Sequence, residues 1–187
     1  MILAGGRSRR MGRDKAWIER EGRPLVLRQS ERLAEAFAEV VVSAKEAEPF
    51  SRRGLRVIVD RESGSAPIFG IRAALAEIRR PIFVLAVDLP RFPPGLAAAL
   101  ARELVENGAA CVAPAAEGRI QGLCAAYAPS LLPELDRRIE AGRLAIREVV
   151  AQCPGALRDE SFWGRWGGRE MFENWNRPED HEPGSDA

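Results

Sequence analysis

The sequence predicts an α/β fold, a mainly parallel sheet wrapped by helices, and three observations predict it. Short runs rich in Val and Ile alternate with longer segments of helical period. One of those runs, "PIFVLAV" at residues 81–87, is apolar throughout, as suits a strand buried on both faces. The alternation continues along the chain without a repeat or a linker, and alternating strands and helices in one domain favour a parallel sheet. At 187 residues the chain is long enough for one domain with its own core.

The elements follow in order. Ile2 to Ala4 is the stub of a strand. Pro24 to Phe37 has helical period, with Leu25, Leu27, Leu33 and Ala34 among its apolar positions. "EVVVS" at 39–43 and "LRVIV" at 55–59 are strands, the second ending at Asp60. Pro67 to Ile78 is a helix with proline in its first turn. The buried run 81–87 ends at Asp88. Pro94 to Asn107 is a helix stopped by Gly108. Ala109 to Ala113 and Ile120 to Tyr127 are strands, the second weakened by Gly122. Two helices, Ser130 to Ala141 and Leu144 to Gln152, are divided by Gly142, and Ala156 to Phe162 is a last strand. Residues 1–177 form the domain, and the acidic, Pro- and Gly-containing tail 178–187 is expected to be disordered.

Composition narrows the function. A net charge of +1 gives no global field to draw the chain onto nucleic acid or a membrane. No apolar run is long enough to span a bilayer, and no signal peptide opens the chain. Cys111, Cys124 and Cys153 lack metal-site or redox spacing, so reduced thiols and a cytoplasmic location are expected. Of the 28 basic residues only Lys15 and Lys45 are lysine. The chain defaults to arginine, so a lysine in its opening loop is a specific choice.

In parallel α/β sheets ligands sit outside the carboxyl ends of the strands. Four features fall there: the Gly5-Gly6 loop, Ser43, Asp60 and Asp88. The loop "GGRSRRMGRDK" at 5–15 combines glycines, which let a ligand approach the main chain, with Arg7, Arg9, Arg10, Arg13 and Lys15 against a single acid, Asp14. Successive N–H groups in such a loop can cradle an anion, and a polyphosphate suits the charge. The spacing matches neither the G-x-x-x-x-G-K-[ST] phosphate loop nor the G-x-G-x-x-G dinucleotide motif. A solvated basic turn is the bland alternative. Lys15, a compact point charge able to reach between phosphate oxygens, weighs against it. Asp88 is either a ligand or a turn residue before Pro90. Asp60 is either a ligand or a turn acid paired with Arg61.

"LAGGRSRRMGRDK" at 3–15 resembles the signature of the molybdenum cofactor guanylyltransferases, the MobA-like nucleotidyltransferases. "LRVIVD" at 55–60, "APIFGI" at 66–71, "VDLP" at 87–90, "GLCAAY" at 122–127 and "FENWNRPED" at 172–180 follow in that family's order. The resemblance implies a three-layer α/β/α Rossmann-like nucleotidyltransferase fold and Mg²⁺ dependence. It implies transfer of GMP from GTP to the terminal phosphate of molybdopterin, with release of pyrophosphate. It also implies contact with cofactor-delivery proteins and acceptor molybdoenzymes. By resemblance, Leu3, Ala4, Gly5 and Gly6 form the nucleotide loop and Lys15 contacts the phosphates. Ser43 and Asp60 belong to the nucleotide pocket, Asp88 binds nucleotide and magnesium, and Asn174 and Asn176 lie toward the pterin.

Ser43 stands where the family often has Asn, Ala66 where it has Gly, Gly122 where Pro is common and Arg177 where Thr is common. Family members usually carry several more residues before the loop, so a start upstream of Met1 is expected. Three alternatives stand beside this reading: a cytidylyltransferase of the same cofactor, another small-molecule nucleotidyltransferase, and a nucleotide-binding module without catalysis. Gly6 favours guanine, since the cytidylyl relatives tend to read "LAAG" there. The implied chemistry needs no general base, because a phosphate monoester is already an anion near neutral pH. The only histidine, His181, lies in the tail. Trp163, Trp166 and Trp175 could stack on a pterin, but large aromatics mostly pack, and packing is the better expectation.

Overall fold

The computed structural model describes residues 1–4, 15–20 and 22–175. The chain begins with β1 (Ile2–Leu3), then makes a small hairpin, β2 (Glu19–Arg20) with β3 (Arg23–Pro24), which feeds α1 (Leu25–Ala34). It continues through β4 (Val41–Ala44), the one-turn α2 (Glu48–Ser51), β5 (Arg56–Val59), α3 (Pro67–Ile78), β6 (Ile82–Ala86) and α4 (Pro94–Glu106). The second half holds β7 (Cys111–Ala116), β8 (Arg119–Ile120), β9 (Cys124–Tyr127), α5 (Leu132–Glu140), α6 (Ile146–Gln152), β10 (Leu157–Arg158) and α7 (Glu160–Trp163).

The sheet runs β10-β7-β9-β6-β1-β4-β5, with β8 paired to β7. Strands β5, β4, β1 and β6 are mutually parallel, and β9 runs antiparallel between β6 and β7. The mainly parallel α/β sheet expected from the sequence is the one observed. Short as it is, β1 occupies the centre: Ile2 sits opposite Val42 of β4 and Leu85 of β6. From β1 the chain first builds outward through β4 and β5, then returns to place β6 on the other side. Strand order therefore reverses at β1, and the crevice beyond its carboxyl end is where such sheets take their ligands.

Alternate residues of each central strand point to opposite layers. Ile2, Val42, Phe83, Leu85, Cys124 and Ala126 face a core shared with α1, α4 and α7. Met1, Val41, Ile82, Val84, Ala125 and Tyr127 face a second core under α3, α5 and α6. That is the three-layer arrangement, and it explains why "PIFVLAV" carries no polar residue: all five residues of β6 are buried. The three-layer core also absorbs the cysteines. Cys111 and Cys124 are buried, and burial pushes the Cys124 thiol well above its usual range, so it is no nucleophile.

Two expected strands differ. Ile120 to Tyr127 is two elements, because Glu117 and Gly118, both at positive φ, turn β7 back into β8, and the chain breaks at residues 121–123 before β9 starts. Gly122 marks the break, its carbonyl accepting a 2.6 Å hydrogen bond from the Tyr127 hydroxyl. Ala156 to Phe162 is a two-residue strand followed by a helix. The Asp159 side chain accepts from the Ser161 N–H at 3.1 Å and caps α7, turning an apolar-looking stretch helical. The tail 178–187, expected to be disordered, lies outside the described residues.

Candidate active site

The carboxyl ends of β1, β4, β5 and β6 carry Leu3, Ala4, Ser43, Asp60 and Asp88, and Lys15 and Asn174 lie near Asp88. Gly5, Gly6 and Asn176 lie outside the described residues. Leu3 and Ala4 form the floor. The Leu3 carbonyl accepts from the Val87 N–H at 3.1 Å, and the Ala4 N–H donates to the Ser43 carbonyl at 3.0 Å. Those two backbone groups are committed to the sheet and hold β1 between its neighbours.

Lys15 opens a 3-10 turn, Lys15–Trp17. Ala16 is fully buried, and Trp17 stacks on Phe50 of α2 with ring centres 5.0 Å apart. With its successors so held, Lys15 Nζ reaches Asp88 Oδ2 at 3.0 Å across the crevice. Both side chains keep about a fifth of their surface exposed (22% and 21%), so the pair faces the opening rather than the core. Asp88 follows β6 directly. Its carbonyl accepts from the Trp175 N–H at 2.9 Å, which ties the C-terminal segment to the same crevice. Asn174 is exposed beside that tie.

Ser43 and Asp60 sit on the other side of β1. Ser43 is 2% exposed and lies against Gly70 of α3, where a Cβ would stand 2.5 Å from Ser43 Oγ and 3.0 Å from Leu3 Cδ2. Gly70 is what lets α3 approach the strand ends so closely. Asp60, 7% exposed, does not pair with Arg61. Its Oδ2 accepts from Lys45 Nζ at 2.7 Å and its Oδ1 from the Glu62 N–H at 3.0 Å. Lys45 also donates to the Glu62 carbonyl at 2.6 Å and lies 5.7 Å from the centre of the Phe69 ring. Sequence reasoning missed Lys45, although the signal was present: it is the second of the only two lysines in an arginine-rich chain. Both lysines meet an aspartate at the end of a parallel strand.

The tryptophans pack. Trp163 is buried, donates its Nε1–H to the Ala115 carbonyl at 3.1 Å and meets Phe172 edge-on. Trp175 is 5% exposed, with the Arg20 guanidinium 4.2 Å over its ring. Among the described residues no group of three His, Cys, Asp or Glu side chains stands together as a metal cage. A lone carboxylate beside a phosphate-binding loop suits magnesium, which binds through one or two carboxylates plus substrate phosphates and water. Asp88 fits that role. Lys15 and Asp88 stand together at the partly solvated end of β6, a cation beside a carboxylate, while Ser43 and Asp60 are buried on the other side of β1.

Comparison with known proteins places the chain among nucleotidyltransferases. Residues 1–157 match the MobA-like NTP transferase domain. A protein of Opitutus terrae named as a probable molybdenum cofactor guanylyltransferase is 36% identical, over 97% of this chain and 91% of its own. One of the same name from Thermococcus gammatolerans is 34% identical, over 96% and 94%. The crystal structure of molybdopterin-guanine dinucleotide biosynthesis protein A from Archaeoglobus fulgidus superposes with a TM-score of 0.84 at 27% identity, covering 96% of this chain and 92% of that one. With its strand order reversing at β1, its lysine and aspartate meeting there and its sequence matched over most of its length, the chain belongs to the MobA-like nucleotidyltransferase family.

Proposed function

We propose that this chain transfers GMP from GTP to the terminal phosphate of molybdopterin, releasing pyrophosphate, and that it does so in the cytoplasm. The observation that carries the reading is the Lys15–Asp88 pair at the strand-order reversal, on a chain aligned over most of its length with proteins named as probable molybdenum cofactor guanylyltransferases. The attacking phosphate is already an anion, so the obstacle is repulsion between anions and the charge gathering on the leaving pyrophosphate. Positioning and charge stabilisation then do most of the catalysis. Lys15 moves from Asp88 toward the phosphates when nucleotide enters. Asp88 would hold Mg²⁺, which would supply charge neutralisation for the nucleotide's phosphates. Leu3, Ala4, Gly5 and Gly6 bring the main chain against the nucleotide, and Ser43 and Asp60 line its base and ribose side. Asn174 and Asn176 stand toward the acceptor. Hand-over of the pterin from delivery proteins and on to molybdoenzymes completes the reading.

The experiment is pyrophosphate release with molybdopterin and Mg²⁺, comparing GTP, CTP and ATP. Release with GTP alone is expected. Release with CTP would assign the cytidylyl activity instead, and binding of nucleotide without release would make the chain a non-catalytic module.

A further inference from the structure

Helix α1 makes a set of contacts that the phosphate chemistry does not use. Gln29 is 2% exposed, and its Nε2 donates to the carbonyls of Ala86 at 3.3 Å and Val87 at 3.2 Å. Three residues on, along the same helix face, Arg32 donates from Nη1 to the Pro90 carbonyl and from Nη2 to the Phe92 carbonyl at 3.1 Å. Two side chains of one helix therefore hold four carbonyls in the segment 86–92, and Asp88 lies within that segment. From the opposite direction the Trp175 N–H holds the Asp88 carbonyl.

The need arises where β6 ends at Ala86. Beyond it the backbone keeps one bond to β1, from the Val87 N–H to the Leu3 carbonyl, and then runs on as a partly buried segment outside the strand ladder whose carbonyls require donors. Gln29 shows what this requirement demands. Its Oε1 has no hydrogen-bond partner among the described residues, so half the amide is buried unsatisfied. An apolar side chain of the same size would fill the space without that cost. The worth of glutamine here lies in its NH₂ group. Arg32 matches the task differently: its planar fork spans two carbonyls at once, which an ammonium cannot do with the same fixed geometry.

We propose that Gln29 and Arg32 are positioning residues that clamp the 86–92 segment and so fix the Asp88 carboxylate opposite Lys15. The clamp rests on the reading that Asp88 meets the nucleotide and its magnesium. Ligand-orienting residues of this kind change metal affinity or activity by about 10–100-fold when lost.

The test measures GTP binding by calorimetry with Mg²⁺ and with EDTA, together with kcat and KM, on Gln29→Met, Arg32→Met and Arg32→Lys. Leu33→Ala, at a buried position on the same helix, serves as a control for lost stability. Asp88→Asn tests the underlying reading. In the three clamp variants the gain in GTP affinity on adding Mg²⁺ is expected to shrink by about tenfold or more, with a parallel fall in kcat. Binding in EDTA should stay at the wild-type value, and Leu33→Ala should keep the wild-type Mg²⁺ response. Arg32→Lys should fail to rescue, since it keeps the charge and loses the fork. Should Arg32→Met not fold, Arg32→Lys and Gln29→Met carry the test. A wild-type Mg²⁺ response in the clamp variants beside a lost one in Asp88→Asn overturns the clamp alone. A wild-type response in Asp88→Asn overturns the reading beneath it and the clamp with it.

Discussion

At the scale of the residue, Lys15 and Asp88 separate function from stability. Their 3.0 Å pair is partly solvated, and such pairs contribute on the order of 1 kcal/mol or less. Removing a charge aimed at a transferring phosphate costs roughly 10²–10³ in rate. Lys15→Ala should therefore lose turnover by at least about 10²-fold while its melting temperature hardly moves. A folded Lys15→Ala enzyme with normal pyrophosphate release would sink the assignment. Cys153 supports a different residue-scale prediction. It is half-buried, and the hydrogen bond with the Cys111 thiol beside it lowers its pKa, while Cys111 and Cys124 are buried. Iodoacetamide near neutral pH should label Cys153 first in the folded protein and reach the other two only after denaturation. Equal labelling of all three would contradict that burial. Single residues were legible where chemistry broke the chain's own habit. Lysine among arginines marked Lys15, and Asp88 stood out because an acid ended an apolar run. Lys45 carried the same signal, but its pairing with Asp60 was not legible, because which cation meets that acid depends on the register of β4 against β5.

At the scale of the element, Gly70 sets how near α3 lies to the strand ends. Alanine there would gain about 1 kcal/mol of intrinsic helix preference. Against that stands a Cβ 2.5 Å from Ser43 Oγ and 3.0 Å from Leu3 Cδ2, inside a buried contact. Overpacking of this kind costs typically 1–3 kcal/mol, so Gly70→Ala should destabilise by up to about 2 kcal/mol net. Ser43→Ala removes the nearer atom. Denaturant titration of the double variant should show coupling, with Gly70→Ala costing less on the Ser43→Ala background. Strict additivity would mean that Leu3, not Ser43, sets the spacing. Helices α3 and α4 were legible to within a residue, because Pro at the start and an apolar period are local signals. The hairpin β2–β3 and the helical turn α7 were not. Two-residue strands carry no period, and a single Asp159 cap decides the direction of a segment whose composition suits a strand.

At the scale of the whole molecule a two-residue strand, β1, lies inside the parallel part of the sheet, and in a chain that starts at Met1 this gives a pH dependence. The Met1 amino group is fully buried, donating to the Phe83 carbonyl at 2.6 Å, while the Met1 carbonyl accepts from the Leu85 N–H at 2.9 Å. Burial lowers its pKa from 8.0 to about 5, with Glu39 pulling weakly the other way. In a chain that starts at Met1 the folded-state amine is thus neutral at pH 7, whereas in the unfolded chain it is largely protonated. Between about pH 5 and 8 the unfolded state binds more protons, so stability rises with pH across that window. The full effect is on the order of 4 kcal/mol, reached above pH 8 and lost as pH falls toward 5. Urea titrations at several pH values should show the slope in the chain that begins at Met1. In a version carrying added residues before Met1, a backbone amide replaces the amine, and the slope should vanish. Carboxylates and His181 are common to both versions, so the difference between them isolates this one group. Parallel pH profiles for the two versions would mean that the centre of the sheet tolerates a charged amine, and that β1 is held by its neighbours rather than by its own burial.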